Sequence, residues 1–199
     1  HSAGDIASKT AIESMVSAIR ACAGNGDRIR TGILNGFEQA HAAVQALGVG
    51  AGTTLAVVEI DNDVVRAYHA GDSIVVVCGN KGKVKHQTVP HSVVGFGVEA
   101  GLIESADALH HEESHIVLNA VGLSGMRVEI GPPVKLSKRD TVLLATDGLA
   151  DNLIIDEMVE TIRKGSLDKA MCNLRTRCQN KMLTIKPDDV AMVLFRRSR

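Results

Sequence analysis

The chain has 199 residues, of which 45% are hydrophobic, 23% charged and only 2% aromatic, and its formal net charge is −1. This is the profile of one globular domain with a core of Val, Ile, Leu, Ala and Met; the charge makes no case for a nucleic acid or anionic membrane partner, and no apolar run approaches the ~20 residues of a membrane span. Cys22, Cys78, Cys172 and Cys178 form no CxxC pair and have no histidine at zinc-finger spacing, so they read as reduced thiols of a cytoplasmic protein, with Cys172 and Cys178 as packing residues of a helix.

In chain order, Ile6, Ile12, Met15, Val16 and Ile19 recur at helical spacing between Asp5 and Ala23, and Ala23-Gly24-Asn25-Gly26 ends that helix. A second helix is expected from about Asp27 to Leu47, with Ile29, Ile33, Leu34, Phe37, Ala40 and Val44 on one side. The β-branched run Thr53 to Ile60, the turn Asp61-Asn62-Asp63 and the returning run Val64 to His69 predict a hairpin. Ser73 to Cys78 and Val84 to Val89 read as two more strands. The connections are short, which implies antiparallel pairing. From Pro90 to about Ser114 the pattern weakens into an irregular excursion with one short helix. Strands are expected again at His115–Val121, Arg127–Ile130 and Thr141–Ala145, then helices near Ile155–Arg163 and Leu167–Met182, and a last strand at Asp189–Phe195. Blocks of helices and strands, rather than βαβ alternation, indicate an α+β layering.

Three acids stand at element ends. Asp147 follows the apolar run Thr141 to Ala145, and Gly148 lets the chain turn; the same acid would also serve as a turn cap. Asp188, in Lys186-Pro187-Asp188-Asp189, precedes the last strand, although a polar loop entering a strand would look the same. If that strand runs antiparallel beside Thr141–Ala145, Asp188 and Asp147 arrive at one sheet edge, where two carboxylates repel unless a cation sits between them. Asp72 lies in the turn His69-Ala70-Gly71-Asp72-Ser73, where an ordinary Asp-Ser turn is the competing account. No histidine or cysteine accompanies the three at ligand spacing, and an all-oxygen set selects Mg²⁺ or Mn²⁺ over zinc. The histidines at 86, 91, 110, 111 and 115 fall in or beside the irregular middle and read mostly as spectators.

Together these segments resemble the metal-dependent protein phosphatases of the type 2C (PPM) family. The stretches that carry the resemblance are Gly52-Thr53-Thr54, His69-Ala70-Gly71-Asp72-Ser73, Asn119-Ala120-Val121-Gly122, Leu143 to Asp151 and Pro187-Asp188-Asp189-Val190, in family order over nearly the whole chain. The resemblance implies an α/β/β/α sandwich of two antiparallel sheets flanked by helix pairs, forming one domain over residues 1–199 with a flap-like excursion at 90–114. It implies that Asp147 and Asp188 are ligands of a dinuclear Mn²⁺ or Mg²⁺ centre and act catalytically through metal-activated water, and that Asp72 holds a further metal. Asp189 stands where the family often has Asn and is left outside the ligand set. The implied reaction is hydrolysis of phosphoserine or phosphothreonine monoesters in a phosphorylated protein partner.

Two departures qualify the resemblance. The family carries an Asp-Gly-x-Gly-Gly motif, whose Asp bridges both metals, just before its first helix, and this chain opens at His1-Ser2-Ala3-Gly4-Asp5, which is similar to the residues that follow that motif. The expectation is an N-terminally incomplete domain, inactive by itself, whose alternative is a catalytically dead relative that binds or regulates a phosphoprotein. The other departure is Ile74, which follows Asp72-Ser73 where many members have Arg.

Overall fold

The computed structural model describes residues 3–22, 27–48, 50–185 and 187–197. Helix α1 spans Gly4–Cys22 and α2 spans Asp27–Ala46. Strands β1 (Leu55–Asp61), β2 (Val64–Ala70), β3 (Ile74–Cys78) and β4 (Val84–Gln87) follow, then the short helices α3 (Val93–Glu99) and α4 (Ser105–Ala108). The second half holds β5 (Glu129–Ile130), β6 (Val134–Lys135), β7 (Thr141–Ala145), α5 (Asp147–Ala150), α6 (Ile155–Ile162), α7 (Leu167–Met182) and β8 (Met192–Arg196).

The strands form two antiparallel sheets. One carries β1, β2, β5 and β6; the other has the order β4-β3-β7-β8. Val65 and Ala67 of β2 meet Val75 and Val77 of β3 and Val142 of β7 in the layer between them. On the outer side of the first sheet, Leu55, Tyr68 and Ala70 are covered by α1 and α2. On the outer side of the second, Ile74, Val76 and Leu143 pack under Met158 and Ile162 of α6 and Leu174 and Cys178 of α7. The expected α/β/β/α sandwich is therefore present, with the central strand β3 buried along its whole length and the edge strand β8 exposing Val193 and Phe195.

Several elements differ from the sequence reading. On α1 the buried stripe is Ala7, Ala11, Met15 and Ala18, while Ile6, Ile12 and Val16 are exposed. Small side chains let α2 approach closely, and that packing outweighs the larger hydrophobic value of isoleucines on the other side. The hairpin β1–β2 pairs from Leu55 opposite Ala70 to Asp61 opposite Val64, but the next connection does not make a second hairpin. β2 and β3 belong to different sheets, so the turn at Gly71-Asp72-Ser73 carries the chain across the sandwich. Gly71 adopts φ +116°, and a Cβ there would lie 2.5 Å from the Thr54 side chain, so no other residue fits this crossing.

The strand expected at His115–Val121 is absent. Only isolated bridges form, between Ser92 and Val117 and between Thr53 and Val121, because Asn119 turns inward and binds backbone and side-chain partners instead of a ladder. The strand expected at Arg127–Ile130 shrinks to Glu129–Ile130, and the excursion after Pro90 contains two short helices rather than one. Cys172 is exposed, unlike its buried neighbour Cys178, so only the latter packs as expected.

Candidate metal centre

Strand β7 pairs antiparallel with β3 on one side and β8 on the other, placing Ala145 opposite both Ile74 and Met192. Asp72 lies just before β3, Asp147 just after β7 and Asp188 before β8. Alternating strand direction thus delivers all three to one edge of one sheet. Pairing also continues beyond the strand ends. The Thr146 N–H donates to the Ala191 carbonyl at 3.0 Å, the Ala191 N–H donates to Thr146 Oγ1 at 3.1 Å, and that hydroxyl donates to the Asp189 carbonyl at 3.3 Å. A Cβ on residue 148 would stand 2.3 Å from the Asp189 carbonyl oxygen, so Gly148 is what lets the two segments close.

The result is a compact set of carboxylates. Oxygen atoms of Asp147, Asp151 and Asp188 lie within 4.8 Å of one another. Asp147 and Asp151 are half-buried, and Asp188 is exposed. Asp147 Oδ1 accepts the Gly148 N–H at 2.9 Å, and Asp188 Oδ1 accepts the Asp189 N–H at 2.7 Å, which orients both groups locally. Asp72 is buried and stands outside this trio, but it lines the same cavity as Asp147 and Asp151. Asp189 contributes its carbonyl to the chain closure rather than a carboxylate to the trio.

Asp151 is the member that sequence reasoning missed. The available signal was its spacing: Asp147 opens the one-turn helix α5, and a residue four places on returns to the same side. The Asp151 N–H donates to the Asp147 carbonyl at 2.7 Å, which closes that turn. Below it, buried Asn152 Nδ2 donates to the Gly148 carbonyl at 2.9 Å and anchors the helix to the core.

This donor set fits a hard divalent cation. All the ligand atoms are carboxylate oxygens, and like charges so close together repel unless a cation lies among them.

A second cluster brings His69, His91 and Glu129 equally close, with ligand atoms within 4.8 Å. Its chemistry is different. The Asn119 amide is oriented by a paired contact with the Arg127 backbone: Oδ1 accepts the Arg127 N–H at 3.0 Å and Nδ2 donates to the Arg127 carbonyl at 2.8 Å. Nδ2 therefore also donates to His91 Nδ1, at 2.8 Å, and the Gly71 N–H donates to the same nitrogen at 3.1 Å. With Nδ1 an acceptor, the ring proton sits on Nε2 and is donated to Glu129 at 3.1 Å. His69 Nε2 donates to the Val89 carbonyl at 3.0 Å, and the two rings stack with centroids 4.3 Å apart. A metal at His91 Nε2 would force the proton onto Nδ1, against two N–H donors. The cluster is therefore a hydrogen-bonded latch.

That latch holds the turn bearing Asp72, because the His91 N–H also donates to the Gly71 carbonyl at 3.1 Å. His91 is thus 1% exposed and fully engaged, which corrects its reading as a spectator. Burial lowers the pKa of His69 below the ordinary histidine value, with the Val89 hydrogen bond opposing it; burial also lowers that of His86.

The family model for protein phosphatase 2C matches residues 1–181. Protein phosphatase PhpP of Streptococcus pneumoniae is 30% identical over 173 residues, a match spanning 81% of this chain and 68% of that protein. The serine/threonine phosphatase of S. agalactiae has the same fold, with a TM-score of 0.81 over 100% of this chain and 83% of its own at 24% identity. The catalytic domain of the serine/threonine protein phosphatase PstP, solved with two manganese ions, gives a TM-score of 0.76 over 98% of this chain and 81% of its own at 20% identity.

Proposed function

This chain belongs to the protein phosphatase 2C family, and from that premise we propose that it hydrolyses phosphoserine and phosphothreonine monoesters in proteins by a metal-dependent reaction. The observation that carries the reading is the convergence of Asp147, Asp151 and Asp188 at one sheet edge, their oxygens within 4.8 Å of one another. These three residues would hold Mn²⁺ or Mg²⁺, and Asp72, in the same cavity, would hold a further ion. Such ions supply Lewis acidity, polarising a phosphoryl oxygen and acidifying water.

The protein's own residues do the positioning. Gly148 and Thr146 clamp the start of α5 against the segment before β8, so Asp147 and Asp188 keep a constant separation. The His91–Asn119–Glu129 latch holds Gly71 and with it the approach of Asp72. The excursion 90–114, with α3 and α4, forms one wall over this edge and limits access of water and substrate, the role of a flap. The presence of the carboxylate trio supports an enzyme over a catalytically inactive phosphoprotein-binding module. Four free thiols suit a reducing, cytoplasmic setting. No helix among the described residues is long and apolar enough to cross a membrane.

The test is a titration of the purified full-length protein, including any residues encoded upstream of His1, with Mn²⁺ or Mg²⁺ against a phosphothreonine peptide, following inorganic phosphate. Release that saturates with metal and stops on chelation is expected. Undiminished release in excess chelator would overturn the metal-dependent reading, and tight peptide binding without any turnover would favour the binding module.

A further inference from the structure

Asp72, Asp147 and Asp151 line a cavity of about 330 Å³ that extends beyond them. That size is at the lower limit of ligand pockets, roughly 300–1,000 Å³, and admits a few side chains rather than a folded partner. Its walls are α3 and α4 on one side and α5 and α6 on the other. Besides Asp72, Asp147 and Asp151 the lining is mainly apolar, with Val94, Val98, Leu109, Ile154, Ile155 and Met158, interrupted by the neutral polar side chains of Gln87, Thr88, Ser92, Ser105 and Ser114. Val94 and Met158 are buried and form fixed walls, whereas Val98, Leu109 and Ile155 are half-buried and face the open space.

Two further acids line the same cavity. Glu99 ends α3 and Asp156 lies in the first turn of α6, and both are exposed. Among the described lining residues none is basic. A phosphate group would find no cationic side chain in this apolar part, so the anionic end of a substrate belongs at the carboxylate trio and its metal. What complements the remainder is an apolar group accompanied by a positive charge.

We infer that the apolar cavity beneath α3 and α4 is a specificity subsite, which seats an apolar side chain beside the phosphorylated residue of the substrate while a neighbouring Lys or Arg meets Glu99 and Asp156. The inference rests on the phosphatase reading for the position of the phosphate, and on the shape, apolarity and charge of the cavity for the rest. An apolar side chain gains by leaving water in such a pocket, and discrimination against a smaller residue there is about 10-fold or more. The basic neighbour, held by exposed acids, adds a smaller and salt-sensitive share.

The experiment compares two phosphothreonine peptides of equal length, one with Leu and Arg beside the phosphoresidue and one with Gly and Ser. Initial rates with Mn²⁺ give KM and kcat, and fluorescence anisotropy with the corresponding non-hydrolysable phosphonate peptides gives affinity without turnover. The Leu-Arg peptide should be preferred by about 10-fold, mostly in KM and equally in affinity. Val98→Asp should collapse that ratio. Glu99→Lys, a substitution on an exposed helix end, should remove only the contribution of Arg and its salt dependence. Equal affinities for the two phosphonate peptides in the unsubstituted protein would overturn the subsite. Para-nitrophenyl phosphate, too small to reach the apolar walls, separates the two levels of the argument. Its hydrolysis with metal, together with equal peptide affinities, would sink the subsite alone. No hydrolysis of it, together with a retained peptide preference, would sink the phosphatase reading and leave the subsite standing.

Discussion

Among the described residues, two clusters each bring three ligand-type side chains within 4.8 Å: Asp147, Asp151 and Asp188 at the sheet edge, and the buried His69 and His91 with the exposed Glu129. Proximity alone does not distinguish them. In the second, every traced nitrogen lone pair and proton is committed: His91 Nδ1 to two donors, His91 Nε2 to Glu129, His69 Nε2 to Val89. In the first, all three groups are carboxylates and so carry one charge. The chemistry of the donors, rather than distance, distinguishes them: two rings with assigned tautomers in the latch, three carboxylates of like charge in the candidate cation site.

The largest expected effect is on chemistry. Asp147→Asn keeps the shape and the local turn but removes a charge, and kcat should fall by about 100-fold or more with little change in melting temperature. Near-normal turnover in that variant would show that the trio is not the metal centre. Next is Gly148→Ala, which drives a methyl into the Asp189 carbonyl; overpacking of this kind should cost on the order of 3 kcal/mol in denaturant unfolding and spread the trio. A stability within experimental error of the parent would show that the closure between α5 and the segment before β8 is soft.

His91→Ala addresses the other cluster. It strands the Gly71 N–H and the Asn119 amide without their acceptor, at a cost of about 2 kcal/mol. If the two clusters do different work, the rise in melting temperature on adding Mn²⁺ should persist in this variant and vanish in Asp147→Asn. Loss of the Mn²⁺ effect in both would erase the distinction.

The smallest effect concerns pH. His69 has its pKa lowered by burial, so the unfolded chain takes up a proton near pH 6.5 while the folded chain does so only at lower pH. The contribution to stability is therefore complete above pH 6.5 and is lost as pH falls from there toward the folded value. Melting temperature should drop modestly on acidification below pH 6.5, and His69→Gln, which still offers an N–H to Val89, should flatten that slope. An unchanged slope in the variant would move the titration to another group.

Much of the architecture was legible in one dimension. Short β-branched runs bounded by Asp-Asn-Asp and Gly-Asn-Lys-Gly turns marked β1 to β3, and strict apolar content marked β7 at its observed ends. The helix α6 was legible because Ile155, Met158, Val159 and Ile162 recur at helical spacing, and α7 because Leu167, Ala170, Leu174 and Cys178 do so after the capping Ser166. The buried face of α1 was not, since alanines carry little hydrophobic signal and their value lies in the closeness they permit. The missing strand at 115–121 follows the same lesson: local β-propensity gave way to the inward amide of Asn119.

By itself, then, the sequence determined the element order, the antiparallel layering and the acids at strand ends, because these depend on local periodicity and on turn chemistry. The acid at the end of β7, Asp147, was legible for that reason, as were Asp72 and Asp188. The tertiary structure alone decided that Asp151 joins them, that His91 is a committed latch and that an apolar cavity adjoins the trio. Each of these depends on which lone pairs and which walls meet across the sandwich, and such meetings are set by packing between distant segments rather than by any pattern within one.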